Sequence, residues 1–334
     1  MNALARVFAT IAVAMLSAVT IYPVTLKIAS IAPEQSPWGQ TLNQLAADLS
    51  KLSSGQVVLK FYHGGITGDE QDMLRKIRIG QLQGGVFTSV GLGEISADVF
   101  TLSAPFLIQN DAELDYVMGK TRAGMEADIE SRKFKVIAWS KGGWIYFFTR
   151  KPIHTPADLK AMKLGVSDND LADVWKQVGF NSIRTSSTEI MSKLNANMIE
   201  AFYSSPIATA AYQWFGLANN MSELKISPFI GGIVFSQAAW NQIPEAYRPE
   251  LMRLSRAAEI KLNRDIAGLE GKAIDTMKKY GLSINAVNAK DTAEWESEFK
   301  TALNTYMTGN SKAFSKTFYA TIEKHLQEYR KQKK

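Results

Sequence analysis

The segment from Trp139 to Pro206 decides how the fold is interpreted. It contains the runs WSKGGWIYFF (Trp139–Phe148), KLGV (Lys163–Val166) and MIEAFYSSP (Met198–Pro206). The first two runs are apolar and strand-like, and a proline-bounded turn and a short helix lie between them. A longer amphipathic helix follows, and the third run is again strand-like. This order predicts strands that alternate with helices in an α/β protein.

The same alternation extends towards both ends of the chain. Strand patterns occur at Val24–Ser30 and Val57–Tyr62 and within Gly80–Thr88, and helical patterns with apolar positions three and four apart separate them. Strand–helix–strand–helix–strand is typical of a parallel sheet. Downstream, an apolar strand begins near Gly231, and residues 244–280 form a long helical stretch. The aromatic residues at helical spacing beyond it are predicted to lie in the core.

Composition excludes several classes of site. The chain has 334 residues, of which 46% are hydrophobic and 21% charged, and this length suggests about two domains. It contains no cysteine, which excludes disulfides, zinc fingers, thiol nucleophiles and a lipid-anchoring cysteine. The net charge is +6. Lysines and glutamates are interspersed along the helical regions, a pattern typical of a solvated surface. We therefore expect no nucleic-acid partner.

No catalytic or metal-binding arrangement stands out either. The histidines, His63, His154 and His325, lie far apart in the sequence and have no metal-ligand spacing. Gly91 and Gly93 lack the third glycine of a dinucleotide-binding motif. We expect no metal, no cofactor and no enzymatic activity. A ligand-binding protein and a purely structural protein both stay open at this point.

The N-terminus indicates export. A single arginine, Arg6, precedes an almost uninterrupted apolar run from Val7 to Ile21, with small residues near Ser17. This pattern is typical of a secretory signal, and the run is short for a membrane span, which needs roughly 20 apolar residues. We predict a signal peptide over residues 1–23 and a periplasmic location. An uncleaved membrane anchor and a buried strand are the alternatives.

Several short motifs, in one order, carry a family resemblance. They are Ser53–Val57, Gly68-Asp69-Glu70 with Met73-Leu74, Gly80-Gln81-Leu82, Leu102–Leu107, Lys151-Pro152-Ile153 with Asp158-Leu159-Lys160, and Trp240 with Ile243-Pro244-Glu245. Together they resemble the periplasmic solute-binding proteins of TRAP transporters, the DctP-like family, over roughly residues 25 to 330. The resemblance implies a two-lobed periplasmic-binding-protein fold of the α/β class, with a ligand cleft between the lobes and a long helix that spans both. The implied first lobe comprises residues 24–143 and 235–276, and the second comprises residues 144–234 and 277–334.

The chain departs from the family pattern where the ligand is expected. Family members typically hold a carboxylate with an arginine in a motif like Lys-Leu-Arg-Val, because the guanidinium can donate two parallel hydrogen bonds. Here the motif is KLGV, and Gly165 stands in the arginine position. Ser204-Ser205-Pro206 replaces an Asn-Pro, and Thr88 stands near an acidic position of sugar-acid binders. The positions that the resemblance places at the ligand are Ile31, Thr88, Trp144, Ile145, Gly165, Ser187, Tyr203, Ser204 and Ser205.

These departures predict a hydrophobic or weakly polar ligand. A buried carboxylate without a charge partner is costly, whereas apolar side chains favour apolar ligand surface by roughly 25 cal/mol per Å². In the alternative, a basic residue such as Arg184 takes over from the missing arginine and the ligand is a small carboxylic acid: a dicarboxylate, a 2-oxo acid or a sugar acid. The resemblance also implies two partners: a TRAP permease of small and large integral membrane subunits, and a repeat-containing periplasmic protein.

Overall fold

The structure is a computed structural model that describes residues 23–167, 169–308 and 313–333. All but the last residue of the predicted signal peptide (1–23) lies outside the described residues. Within them, no helix combines the length and the apolar character that a membrane span requires.

Ten strands are described. They are β1 (Val24–Ser30), β2 (Val57–Tyr62), β3 (Gly84–Thr88), β4 (Phe134–Thr149), β5 (Lys163–Val166), β6 (Asn181–Arg184), β7 (Ala201–Ser204), β8 (Asn220–Ser222), β9 (Ser227–Ser236) and β10 (Ser283–Asn285).

The helices alternate with these strands. They are α1 (Pro37–Leu52), α2 (Glu70–Arg78), α3 (Ser89–Gly93), α4 (Ala97–Thr101), α5 (Asp111–Ser131), α6 (Pro156–Lys160), α7 (Asn169–Gln177), α8 (Ile190–Asn195), α9 (Pro206–Ala211), α10 (Gln237–Gln242), α11 (Arg248–Lys279), α12 (Ala289–Thr308) and α13 (Lys316–Gln332). Single 3₁₀ turns lie at Trp214–Gly216 and Glu245–Tyr247.

The strands form one continuous sheet with two halves. The order is β2-β1-β3-β9-β4-β7-β5-β6, with β8 against β4 and β10 against β8. Strands β1, β2 and β3 pair in parallel, as the strand–helix alternation predicts. Strand β9 is antiparallel to both β3 and β4, so the sheet is mixed and not purely parallel.

Local sequence accounts for where the helices begin. In α1, the side chain of Ser36 accepts a hydrogen bond from Gly39 N, and a proline occupies the first helical position, where its missing N–H costs nothing. In α2, Asp69 is the N-cap and accepts a bond from Asp72 N. The apolar faces of both helices pack against the first half of the sheet.

Strand β4 joins the two halves of the sheet. It pairs with β9 up to Lys141 and, after a bulge, again at Trp144 and Ile145, and its last residues from Tyr146 pair with β7. Gly143 in the bulge has a φ of +90°, a conformation that favours glycine. The chain therefore crosses between the halves through a bulge that the glycines of WSKGG permit.

Helix α11 lies along this crossing and supports it. It contacts β4, α1 in the first half and α9 in the second, so it spans both, as expected for the long helical stretch 244–280. Three backbone N–H groups of β4 donate to its side chains: Trp139 to Glu259, Lys141 to Asn263 and Trp144 to Glu270. A bulge leaves ladder groups unpaired, and these acceptors satisfy them.

The last two helices close the second half. Trp295, Phe299 and Tyr306 of α12 and Ile322 and Leu326 of α13 are buried. Phe147 of β4 lies 5.3 Å, between ring centroids, from Trp295. The prediction that these periodic aromatic residues belong to the core is confirmed.

Candidate functional site

One large cavity lies between the two halves of the sheet, beside the crossing strands. Of the residues that sequence analysis places at the ligand, its lining includes Ile31, Thr88, Ile145, Gly165, Ser187, Tyr203 and Ser204. Ile145 belongs to β4, and the others come from the carboxyl ends of β1, β3, β5 and β7 or from loops that follow strands, the usual position of a ligand site in an α/β sheet. That these residues contact ligand stays a prediction.

Trp144 and Ser205 lie elsewhere. Trp144 is buried, and its ring faces the ammonium group of Lys225 at 5.5 Å from the ring centroid. Ser205 is the N-cap of α9, and its hydroxyl accepts a hydrogen bond from Ala208 N. Successive side chains of a strand point to opposite faces, which explains why Ile145 lines the cavity and its neighbour Trp144 does not.

The lining combines aromatic rings with many hydroxyl groups. The hydroxyl-bearing side chains are Thr41, Thr88, Ser89, Ser103, Ser140, Ser167, Thr185, Ser187, Tyr203, Ser204, Tyr212, Ser227 and Ser255. The rings of Trp175 and Tyr203 lie 6.3 Å apart at 31°, and both line the cavity. Among the described lining residues, Glu259 is the one charged side chain. The wall therefore offers hydrogen bonds and flat apolar surfaces, but no cation.

The missing arginine position is filled by its neighbours. A Cβ on Gly165 would lie 3.0 Å from Ile199 Cδ1 and 3.3 Å from the Thr185 side chain. Thr185 itself lines the cavity. A side chain at position 165 would therefore require Ile199 and Thr185 to shift.

Arg184 is the last residue of β6 and bridges the two halves. Its Nη2 donates to Asp69 Oδ2 at 3.0 Å and to Gln71 Oε1 at 3.2 Å, both at the start of α2. Its Nε is buried and has no hydrogen-bond partner among the described residues. Arg184 directly precedes Thr185 in sequence, and its side chain is 35% exposed. Arg184 thus carries a positive charge one residue from the cavity lining, and Asp69 shares this charge.

A buried carboxylate, Glu70, supports the wall at Thr88. Its Oε1 accepts a hydrogen bond from Thr88 N at 2.6 Å, and its Oε2 accepts one from the Thr88 hydroxyl at 2.9 Å. Burial raises the pKa of the Glu70 carboxyl to about 7, because hydrogen bonds from Thr88 and Gly91 offset only part of the desolvation. Thr88 in turn caps α3 by accepting a bond from Val90 N.

A second buried carboxylate, Glu259, stands at the back of the cavity. Arg122 binds it with two hydrogen bonds, of 2.7 and 3.2 Å, and Arg256 donates to the same Oε1. Arg122 also pairs with Glu126, which accepts a bond from Trp139 Nε1. This charge is fully partnered, so its geometry indicates a structural role.

Sequence analysis did not single out Glu70, Trp175, Tyr212 or Glu259. Glu70 belongs to the Gly68-Asp69-Glu70 motif, which served only as a family signature there. Tyr212 donates its hydroxyl proton to the carbonyl oxygen of Ile31 across the cavity, a contact between residues 181 positions apart. No periodicity predicts such pairs. Within the described residues, no group of three or more His, Asp and Glu side chains is placed to hold a metal ion.

The chain is similar to a known protein family and to characterised relatives. The family model described as "Bacterial extracellular solute-binding protein, family 7" (DctP) matches residues 28–310. The 2,3-diketo-L-gulonate-binding periplasmic protein YiaO of Escherichia coli is 23% identical over 241 residues, which are 71% of this chain and 73% of that protein.

Solved structures share the fold. A TRAP periplasmic solute-binding protein of Chromohalobacter salexigens with bound D-glucuronate has a TM-score of 0.81 at 18% identity, covering 90% of this chain and 99% of that one. One from Desulfovibrio salexigens with bound orotic acid has a TM-score of 0.81 at 19% identity, covering 91% of this chain and 98% of that one. The expected two-lobed α/β fold is confirmed.

The hydrophobic ligand expected from the sequence is not supported by the relatives. The molecules named for these relatives are polar organic acids, and they contradict the hydrophobic ligand that the lost arginine predicted. The physical reason is general: ligand pockets are lined mainly by apolar and aromatic side chains whatever the ligand, and a few polar groups set its chemistry. Apolar replacements at single positions therefore say little about ligand polarity.

The family, in contrast, is established. The model match spans most of the chain, and the curated and structural relatives agree with it. Such proteins bind small molecules outside the cytoplasm and work with membrane permease subunits, without catalysing a reaction. This chain belongs to the DctP family of bacterial extracellular solute-binding proteins, the substrate-binding components of TRAP transporters.

Proposed function

We propose that this protein captures a small polar carboxylic acid, of the sugar-acid class, in the central cavity and delivers it to a TRAP permease. The relatives bind 2,3-diketo-L-gulonate, D-glucuronate and orotic acid according to their names, which supports an acid as the ligand. This is the second of the two ligand classes that the sequence left open.

The single observation that carries the proposal is the dense set of hydroxyl groups on opposing walls of the cavity. Thr88 and Ser89 stand on one side, and Thr185, Ser187 and Ser204 stand on the other. A sugar acid presents hydroxyl groups around its ring edge and less polar faces above and below. The ring pair Trp175 and Tyr203 provides flat surfaces for those faces.

The carboxylate of such a ligand needs a positive partner, because an unpaired charge is costly to bury. Arg184 is the candidate: it stands next to the lining residue Thr185, and its Nε has no partner among the described residues. Its Nη2 is shared with Asp69 and Gln71, so the same side chain would join ligand capture to contact between the two halves.

The first test is a ligand panel with matched neutral molecules. D-Glucuronate, D-galacturonate and orotate are compared with D-glucose, D-galactose and uracil, each of which lacks the carboxylate. Thermal shift identifies binders and calorimetry gives their Kd. We expect at least one acid to bind and its neutral counterpart not to bind. Binding of the neutral members, or of none of the six, would contradict the proposal.

The second test locates the charge partner. Arg184→Gln should weaken binding of the acid about tenfold or more, since a charge-assisted hydrogen bond contributes roughly 1.5–3 kcal/mol. Arg75→Gln is the matched control: Arg75 lies on α2, is 68% exposed and pairs with Asp72. Equal affinity in both variants would show that Arg184 does not hold the carboxylate.

The lobe boundaries, the periplasmic location and a second protein partner also belong to this proposal. The lobe boundaries, 24–143 with 235–276 and 144–234 with 277–334, place Asp69 in one lobe and Arg184 in the other. Periplasmic location through a signal peptide fits the extracytoplasmic family. A repeat-containing periplasmic partner stays a prediction, and pull-down of the mature protein with a candidate repeat protein would test it.

A further inference from the structure

We propose that Glu70 is a positioning residue that makes Thr88 a hydrogen-bond acceptor towards the cavity, so that a ligand hydroxyl group, and not its carboxylate, lies against this wall. The inference rests on the proposed function and assigns the orientation of the acid within the same cavity.

Both carboxylate oxygens of Glu70 accept hydrogen bonds from Thr88. Its Oε1 is turned towards a backbone donor, Thr88 N, and its Oε2 faces the Thr88 hydroxyl. The N–H of Gly91 also donates to this carboxylate. An ionised carboxylate has no proton to donate, so the Thr88 hydroxyl must donate its own.

The Thr88 hydroxyl keeps one free lone pair. A threonine hydroxyl has one proton and two lone pairs. The proton goes to Glu70, and one lone pair accepts from Val90 N at 3.2 Å. One lone pair is left, and Thr88 lines the cavity. It can accept a hydrogen bond from a ligand, but it has nothing left to donate.

The negative charge of Glu70 also bears on which ligand group can lie against Thr88. Glu70 is buried, and among the described residues the charged group that shifts its pKa is another acid, Asp69. No cation offsets its charge, in contrast to Glu259. A ligand carboxylate at Thr88 would meet both an acceptor and an unpaired negative charge. A hydroxyl group, as a donor, meets neither conflict.

The experiment uses D-glucuronate and its monodeoxyfluoro analogues, in which fluorine replaces one hydroxyl group and can no longer donate. Kd is measured by calorimetry at pH 8, where Glu70 is mostly ionised. In the wild-type protein, we expect one fluorinated position to bind at least tenfold more weakly than D-glucuronate. Thr88→Val should abolish that discrimination, whereas Thr88→Ser, which keeps the hydroxyl group, should retain it.

Glu70→Gln is the decisive variant. Thr88 N holds the amide oxygen, as it holds Oε1 of the glutamate, so the amide NH₂ faces the Thr88 hydroxyl and donates to it. The threonine proton is then free, and discrimination at that position should fall below about threefold. Glu94→Gln is the control, because Glu94 is exposed, follows α3 directly and does not line the cavity.

A measurement on the wild-type protein covers the case in which Glu70→Gln fails to fold. At pH 6 Glu70 is mostly protonated and can donate to Thr88, so discrimination should fall as it does in the variant. The titratable groups facing Glu70 are Asp69 on its own segment and Tyr212 across the cavity, and Arg184 pairs with Asp69. The pKa of Tyr212 is raised by burial, so this phenol stays neutral between pH 6 and 8.

The outcomes separate the two proposals. If D-glucuronate binds and Glu70→Gln keeps the wild-type discrimination, or if no fluorinated position discriminates at all, the role of Glu70 is overturned and the proposed function survives. If neither D-glucuronate nor any other acid of the panel binds the wild-type protein, both are overturned.

Discussion

Two buried carboxylates, on opposite sides of one cavity, are held in different ways. At the back, Glu259 of the spanning helix is bound by Arg122 and Arg256 and accepts a bond from Trp139 N. At the front, Glu70 accepts bonds from Thr88 and Gly91, and no cation faces it among the described residues. One negative charge is neutralised in place and the other is not.

The difference separates support from recognition. Desolvation of a charge is repaid only by good partners, and Glu259 has them, so it can hold α5, β4 and α11 together without regard to ligand. Glu70 is left with a raised pKa, a group whose protonation depends on its surroundings. The back of the cavity is therefore built for rigidity, and the front is sensitive to what occupies the cavity.

The largest expected effect is at the back. Glu259→Gln removes the charge that Arg122 and Arg256 share, and breaking one side of a buried ion pair costs about 3 kcal/mol. Urea unfolding should show this loss in the free energy of unfolding. Glu250→Gln, on the same helix and paired with the exposed Arg253, should change it by less than about 0.5 kcal/mol. Equal effects would remove the distinction between the two sites.

The next effect is a pH dependence at the front. The pKa of Glu70 rises from 4.5 to about 7 on folding, so folding favours its protonated form. The resulting stabilisation is complete below about pH 4.5 and is lost as pH rises to about 7. Relative to Glu70→Gln, the wild-type protein should lose about 2–3 kcal/mol between pH 4.5 and 8, since one pKa unit corresponds to 1.36 kcal/mol.

Parallel urea titrations of the two proteins at several pH values test this. A stability difference that stays constant across the range would show that Glu70 is not desolvated as its burial indicates. Glu94→Gln, which removes an exposed carboxylate, is the control.

A smaller effect distinguishes two glycines at the crossing. Gly143 has a φ of +90°, and a Cβ there would overlap Glu270 Oε2, so Gly143→Ala should cost about 1–2 kcal/mol. Gly268 lies within α11 with no atom near its Cβ position, and Gly268→Ala should stabilise the protein by about 0.5–1 kcal/mol. Thermal unfolding measures both, and a shift of the same sign would mean that the bulge adapts freely.

The sequence was sufficient for the fold and insufficient for the ligand. Strand alternation and helical spacing are local properties, so β1 to β3 and the long helix α11 were predicted from nearby residues. The pairs Glu70–Thr88 and Trp139–Glu259 join residues 18 and 120 positions apart, and only the folded chain brings them together. The inference from Gly165 to a hydrophobic ligand was wrong because it judged ligand polarity from individual positions. The hydroxyl groups that line the cavity come from strands and loops far apart in the sequence.

The smallest effect on stability is expected from Asp69→Asn, which breaks the Arg184–Asp69 pair and also tests how the ligand is bound. Asparagine caps a helix as well as aspartate does, so Asp69→Asn should keep α2 intact. The Arg184–Asp69 pair is partly exposed, and its loss should change the free energy of unfolding by less than about 1 kcal/mol. Arg184 would then carry its full charge towards the cavity, and the Kd for D-glucuronate should fall two- to threefold, within the precision of calorimetry. A weaker affinity would mean instead that Asp69 holds Arg184 in its binding position, and that contact between the halves, more than charge, limits capture.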